Sequence, residues 1–152
     1  MRPFVAVLLA CLALTACDGA PKSKLPDIRL PTVSARQGES LASCPTPRCL
    51  TVYLAPWCGY CRQATPMLVE MKKLLEGKTA MRIIVGMDDP SPVGEYAQIF
   101  GGDTLMDPAG GLRTSGVPHF WITNGEGGVL REVSGLPQVE NAEQLADYFG
   151  LN

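Results

Sequence analysis

Hydrophobic and polar positions follow two rhythms along this chain, and each predicts a kind of element. Leu50-Thr51-Val52-Tyr53-Leu54 is a short β-rich run and predicts the first strand. Beyond it, Met67, Leu68, Met71, Leu74 and Leu75 recur at i, i+1, i+4, i+7 and i+8, one face of a helix that starts near Cys58 and stops at Gly77. Pro66 falls inside that helix and is expected to kink it. Met81 to Val85 is an apolar second strand. Ser91-Pro92 reads as a cap followed by a proline at the first helical position, and Val93, Tyr96, Ala97 and Phe100 supply the face of a second helix. Residues 101–115 are glycine-rich and aperiodic, which predicts a loop. His119 to Thr123 is a third strand, Asn124-Gly125 a hairpin turn, and Val129 to Val133 a fourth strand. Asn141 with Gln144 resembles a capping box. Ala142, Leu145, Ala146 and Phe149 line the last helix, which Gly150 ends. The order is βαβαββα. Strand-helix-strand implies a parallel pair with a right-handed crossover, and the later hairpin adds antiparallel strands. The fold class is α/β, with a mixed four-stranded central sheet and flanking helices.

The amino-terminal part reads differently. Arg2 is followed by an uncharged apolar stretch from Phe4 to Leu14, the length of a signal-peptide core rather than of a membrane span. Leu14-Thr15-Ala16-Cys17 then looks like the bacterial lipobox, where the leader is cut before a cysteine whose thiol takes a lipid. The competing reading is an ordinary cleavable signal with a chance cysteine after its small residues. The lipobox assigns residues 1–16 to the signal and Cys17 to lipidation, and it removes Cys11 with the leader. The domain is then held at a membrane, outside the cytoplasm. Asp18, directly after the lipidated position, resembles the residue that in enteric bacteria favours retention at the inner membrane. Residues 17–43 carry Pro21, Pro26 and Pro31 at even spacing, with Ser and Gly between them and no sustained period. They predict a flexible tether spanning roughly 28 Å, and the folded domain is expected over residues 44–152.

Composition narrows the function. The full chain has 152 residues and a formal charge of −2, which excludes a basic nucleic-acid footprint. Export places the four remaining cysteines, Cys44, Cys49, Cys58 and Cys61, where disulfides form and persist, so they are read first as pairs.

Trp57-Cys58-Gly59-Tyr60-Cys61 stands at the first strand-to-helix junction. A cysteine at a helix N-terminus faces unpaired N–H groups and the positive end of the dipole, which stabilise its thiolate. The thiolate is the nucleophile of disulfide exchange. Two intervening residues put the second sulfur one turn on, able to resolve the mixed disulfide, with Gly59 and Tyr60 tuning the couple. Cys58 is expected to be exposed and attacking, Cys61 more buried and resolving. Cys49 is on the order of 25 Å from Cys58 along an extended strand, so direct exchange between the pairs is disfavoured unless the chain folds back. Cys44 and Cys49 read as a structural loop disulfide, with a second redox pair and a zinc site as the alternatives.

These residues resemble the thioredoxin-like superfamily of thiol-disulfide oxidoreductases. The match runs in order over about 100 residues: Trp57 to Cys61 after a strand, Pro66, Gly116-Val117-Pro118 opening the third strand, and Asn124-Gly125-Glu126 in the hairpin. The resemblance implies a cis Pro118 beside the Cys pair. It also implies a substrate groove formed by Val117, Pro118 and Trp57. The Cys-Gly-Tyr-Cys choice looks like periplasmic disulfide isomerases. Val52 stands where thioredoxins carry a buried acid, so proton handling at Cys61 cannot be copied from them. The first strand and helix of full thioredoxins are missing, which makes the layout closer to the minimal, glutaredoxin-like arrangement.

Other residues carry less. His119 is a groove residue or a tolerated strand histidine, and Trp121 is core or exposed. Asp88 and Asp89 read as a solvated turn, and Gly110-Gly111 lacks the rest of a phosphate loop. The expectation is a membrane-tethered, extracytoplasmic oxidoreductase of protein thiols and disulfides. It needs no cofactor or metal, and a redox partner recycles it. The rival classes are a copper-delivery or respiratory assembly protein using the dithiol as a metal site, and a non-catalytic binding module.

Overall fold

A computed structural model describes residues 20–152, so the expected signal peptide and the expected lipidation site Cys17 lie outside the described residues. Six strands and three helices follow in the order β1 (Ser23–Lys24), β2 (Arg48–Leu54), α1 (Gly59–Leu75), β3 (Ala80–Gly86), α2 (Pro90–Gln98), β4 (Leu105–Asp107), β5 (His119–Asn124), β6 (Gly128–Ser134) and α3 (Ala142–Phe149). They form one sheet in the order β1-β6-β5-β2-β3-β4. β2, β3 and β4 run parallel, β5 returns antiparallel to β2, and β6, antiparallel to β5, runs in the direction of β2 again. The four strands expected from sequence are the central four of six. β1 and β4 add short edges that are too brief to show a period.

β2 is buried from Cys49 to Leu54 because both faces of the sheet are covered. Leu50, Val52 and Leu54 face one core together with the buried residues of all three helices, among them Leu68 and Met71 of α1, Val93 and Ala97 of α2, and Leu145 and Phe149 of α3. The alternate residue Tyr53 turns to the opposite face, with Ile84 of β3 and Trp121 of β5. Among the described residues no helix covers that second face. It is covered by Leu25 and Leu41, both buried, with Ile28 and Leu30 packed against them.

This corrects the flexible tether expected over residues 17–43. The described part, 20–43, is a strap across the sheet. β1 pairs with the β6 edge, and further on Thr32 bridges Leu105 at the β4 edge. Leu25 N–H donates to Gly127 O at 3.1 Å, and Met106 N–H to Pro31 O at 2.8 Å. Arg82, on β3, donates to the carbonyls of Ser40 (3.0 Å) and Ser43 (2.8 Å), which ties the end of the strap to the sheet. Desolvation pulls the Arg82 pKa down from its ordinary value, with Glu39 opposing. The physical reason for the correction is burial: the side chains of Leu25, Ile28, Leu30 and Leu41 gain more against the bare sheet face than in water. The strap also supplies the edge strand β1 that a minimal layout lacks.

Smaller departures are local. α2 begins at Pro90, with Asp89 as N-cap, rather than at Ser91-Pro92, because a proline at the first helical position sacrifices no hydrogen bond. The hairpin turn spans residues 125–127, and its left-handed residue is Gly127 (φ 76°) rather than Gly125. A Cβ on Gly127 would collide with the backbone of Ala42 in the strap. The side chain of Asn124 accepts from the N–H groups of Glu126 (3.0 Å) and Gly128 (2.8 Å), closing the turn. Asn141 caps α3 as expected, accepting from Gln144 N–H, and Gly150 ends it at φ 66°.

Candidate active site

Cys58 is the N-cap of α1, with extended backbone at φ −81° and ψ 114°. Its Sγ accepts the Cys61 N–H at 3.1 Å, which satisfies one of the orphan donors of the first turn. The two sulfurs are bonded as a disulfide, with Cα atoms 5.2 Å apart. The Val117–Pro118 peptide is cis, and Val117 O lies 3.5 Å from Cys58 Sγ. Chain segments far apart in sequence therefore meet at one sulfur: the end of β2, the start of α1 and the turn before β5.

Cys58 is not exposed as the sequence suggested. It is 5% accessible and Cys61 is 0%. The order of the two is as expected, but the N-cap geometry turns Cys58 inward over the helix start and against Val117. The exposed groups are its neighbours, Trp57 (62%) and Tyr60 (68%). Trp57 is held despite its exposure, because its Nε1–H donates to Met87 O at 2.7 Å. The position a side chain would take on Gly59 is open space, so packing does not demand glycine there. One turn on, Thr65 Oγ1 donates to Cys61 O at 2.9 Å and lies 2.8 Å from Tyr96 Oη. Arg62 lies over the Tyr96 ring at 4.3 Å, and burial raises the Tyr96 pKa.

Val52 is fully buried on the helix side of β2, as the sequence implied, and puts no acid beneath Cys61. The buried acid among the described residues is elsewhere. Asp107, 5% exposed at the end of β4, accepts the Tyr53 hydroxyl at 2.8 Å on the strap side of the sheet. Desolvation first, and then Asp107, push the Tyr53 pKa well above its ordinary value. Sequence reasoning missed Asp107 and Met87. Asp107 lies in a glycine-rich stretch without a period, and nothing local marks it.

His119 is buried, not in the groove. Its Nε2 lies 2.9 Å from Glu132 Oε1, and its ring packs on Trp121 with centroids 4.2 Å apart. Desolvation lowers its pKa against the pull of Glu132, so the ring is neutral near pH 7. Trp121 is core. Cys44 and Cys49 form the second disulfide, with Cα atoms 5.8 Å apart, at the entry to β2 beneath the hairpin. A groove of about 570 Å³ lies at the other end of α1, between Lys73, Gly77, Met81 and Ile99, and its lining contains no cysteine.

No protein-family model matches the sequence, and no curated protein matches it. Solved structures do match. A secreted Mycobacterium tuberculosis disulfide oxidoreductase homologous to the Escherichia coli protein DsbE is 14% identical, with a TM-score of 0.63 over 82% of this chain and 95% of that one. The exposed lipoprotein thioredoxin of Streptococcus pneumoniae is 16% identical, with a TM-score of 0.60 over 82% of this chain and 98% of the other. StoA from Bacillus subtilis is 15% identical, with a TM-score of 0.60 over 82% and 99%. The fold is thioredoxin-like. The thioredoxin-like domain carries its cysteine pair at the junction of a central strand and a helix N-terminus, an arrangement suited to thiol-disulfide exchange.

Proposed function

We propose that the chain is an extracytoplasmic thiol-disulfide oxidoreductase held at a membrane through a lipid on Cys17. The observation that carries the reading is the Cys61 N–H on Cys58 Sγ at the start of α1. A donor in that place favours the thiolate over the thiol. In the reduced protein, the Cys58 thiolate attacks one sulfur of a substrate disulfide. A mixed disulfide forms and the substrate's other sulfur leaves as a thiolate. The Cys61 thiolate then attacks Cys58 Sγ, the second substrate thiolate leaves, and the Cys58–Cys61 disulfide remains. Two electrons pass from the dithiol to the substrate, and a redox partner must return them. Run backwards, the same steps oxidise a substrate dithiol.

Trp57, Gly59, Tyr60, Val117 and Pro118 border the sulfurs and form the surface a substrate peptide meets. Cys44–Cys49 is the structural disulfide. The leader and lipobox support the periplasmic side of a bacterial membrane, and Asp18 favours the inner one.

The test is mixed-disulfide trapping. Cys61→Ser leaves the attacking thiol and removes the resolving one, so it should accumulate a covalent complex with a disulfide-bearing protein. Cys58→Ser should trap nothing and reduce nothing. Turnover by Cys58→Ser would sink the assignment. The reduction potential of the couple then gives direction: near the roughly −270 mV of thioredoxin it is a reductant, and near roughly −120 to −180 mV it oxidises or shuffles.

A further inference from the structure

Trp57 raises a question that the sulfur chemistry does not answer. An indole 62% exposed has little packing to fix its rotamer, yet it is held by one hydrogen bond to Met87 O. Met87 follows β3 with φ 57°, a left-handed conformation that aims its backbone away from the strand and that a methionine adopts only when its surroundings hold it. Those surroundings converge on Asp107. The main-chain O of Asp107 accepts the Met87 N–H at 3.2 Å and the Gly110 N–H at 3.0 Å. Its Oδ1 accepts Gly111 N–H at 2.9 Å, and its Oδ2 accepts Leu112 N–H at 2.9 Å and the Tyr53 hydroxyl at 2.8 Å. The loop gathered in this way lies against Met87, since a Cβ on Gly110 would come within 3.1 Å of Met87 Cγ. Gly86 is glycine for the same reason: a Cβ there would collide with the Tyr53 hydroxyl and Asp107 O.

We propose that Asp107 is a positioning residue for Trp57. Its buried carboxylate locks the loop that fixes the Met87 carbonyl, and that carbonyl fixes the indole beside the Cys58–Cys61 pair. Asp107 touches neither sulfur nor substrate. Its effect is on how well the exposed indole is prearranged for a bound peptide, which rests on the oxidoreductase reading given above.

The experiment compares Asp107→Asn and Tyr53→Phe with the wild-type chain, residues 18–152. The Trp57 indole N–H resonance and its solvent exchange are followed by NMR, with Trp121 as an internal control and Trp57→Phe for assignment. Asp107→Asn should shift the Trp57 resonance and speed its exchange roughly fivefold, the scale of one lost hydrogen bond. Tyr53→Phe should do the same to a smaller degree. With insulin as the disulfide substrate, KM should rise by more than kcat falls. If Asp107→Asn fails to fold, Tyr53→Phe decides, because it leaves no buried carboxylate without its two backbone donors. An unmoved Trp57 resonance in a folded variant overturns the proposal. Wild-type protein without turnover would instead overturn the oxidoreductase reading, while the indole measurement would still test the link from Asp107 to Trp57.

Discussion

The two disulfides lie near opposite ends of β2, and the nearest polar neighbours of their sulfurs differ in kind. Cys58 Sγ meets a backbone N–H at 3.1 Å, at the positive end of a helix of 17 residues. Cys44 Sγ meets the Thr46 carbonyl at 2.8 Å and the Thr46 hydroxyl at 3.7 Å, and Cys49 Sγ lies 3.9 Å from that same hydroxyl. An N–H stabilises a thiolate, whereas a carbonyl oxygen repels one. Cys44 is also pinned through its own N–H to Gly125 O, and Cys49 is a fully buried strand residue. At Cys58 the donor at 3.1 Å lies nearer than the Val117 carbonyl at 3.5 Å, whereas at Cys44 a carbonyl at 2.8 Å is the nearest polar atom, so the balance favours a thiolate at the first pole and opposes it at the second. What faces the sulfur separates the pairs more clearly than their spacing does.

Removing each pair in turn should separate the roles most sharply. The double variant Cys44→Ser/Cys49→Ser should keep wild-type turnover and lose about 2 kcal/mol of stability, the chain-entropy value for so short a loop. Urea unfolding monitored beside an insulin-reduction assay reads both quantities. Loss of turnover in a folded double variant would dissolve the contrast. A smaller effect should appear in the fully reduced protein. Iodoacetamide at neutral pH should alkylate Cys58 about tenfold faster than Cys44, an energy difference of about 1.4 kcal/mol. Equal rates, read by mass spectrometry of timed digests, would mean that the fields do not differ as the geometry says. The smallest effect concerns Thr46. Its hydroxyl donates to Arg48 O at 2.6 Å and accepts the Ala80 N–H at 3.0 Å, joining the disulfide loop to the start of β3. Thr46→Val should cost about 1 kcal/mol and leave turnover unchanged. A drop in turnover would show that the far pole communicates with Cys58.

The legible parts of the molecule were those whose information is local. Leu50 to Leu54, the face from Met67 to Leu75 and the Asn141 cap carry their periods and caps within a few residues. The Trp57 to Cys61 run is likewise continuous in sequence. The strap is different. Leu25, Ile28, Leu30 and Leu41 share no period, because a segment lying across strands follows its partner's surface rather than its own repeat. A stretch rich in proline that also carries Leu25, Ile28, Leu30, Val33 and Leu41 was the available sign that it packs on something. Met87 and Asp107 were invisible for a related reason, since their roles are defined by contacts with Trp57, Tyr53 and the 110–112 loop rather than by neighbours in the chain.

The strap also fixes an order of events in folding. Ser23 and Lys24 have their partners at Val129 and Gly128, almost at the other end of the chain. Loop closure over such a span must precede any gain from the contact. A polypeptide emerging from its amino terminus therefore holds Ser23 and Lys24 without their strand partners until β6 exists to receive them. The first strand of the sheet is thus among the last to find its place.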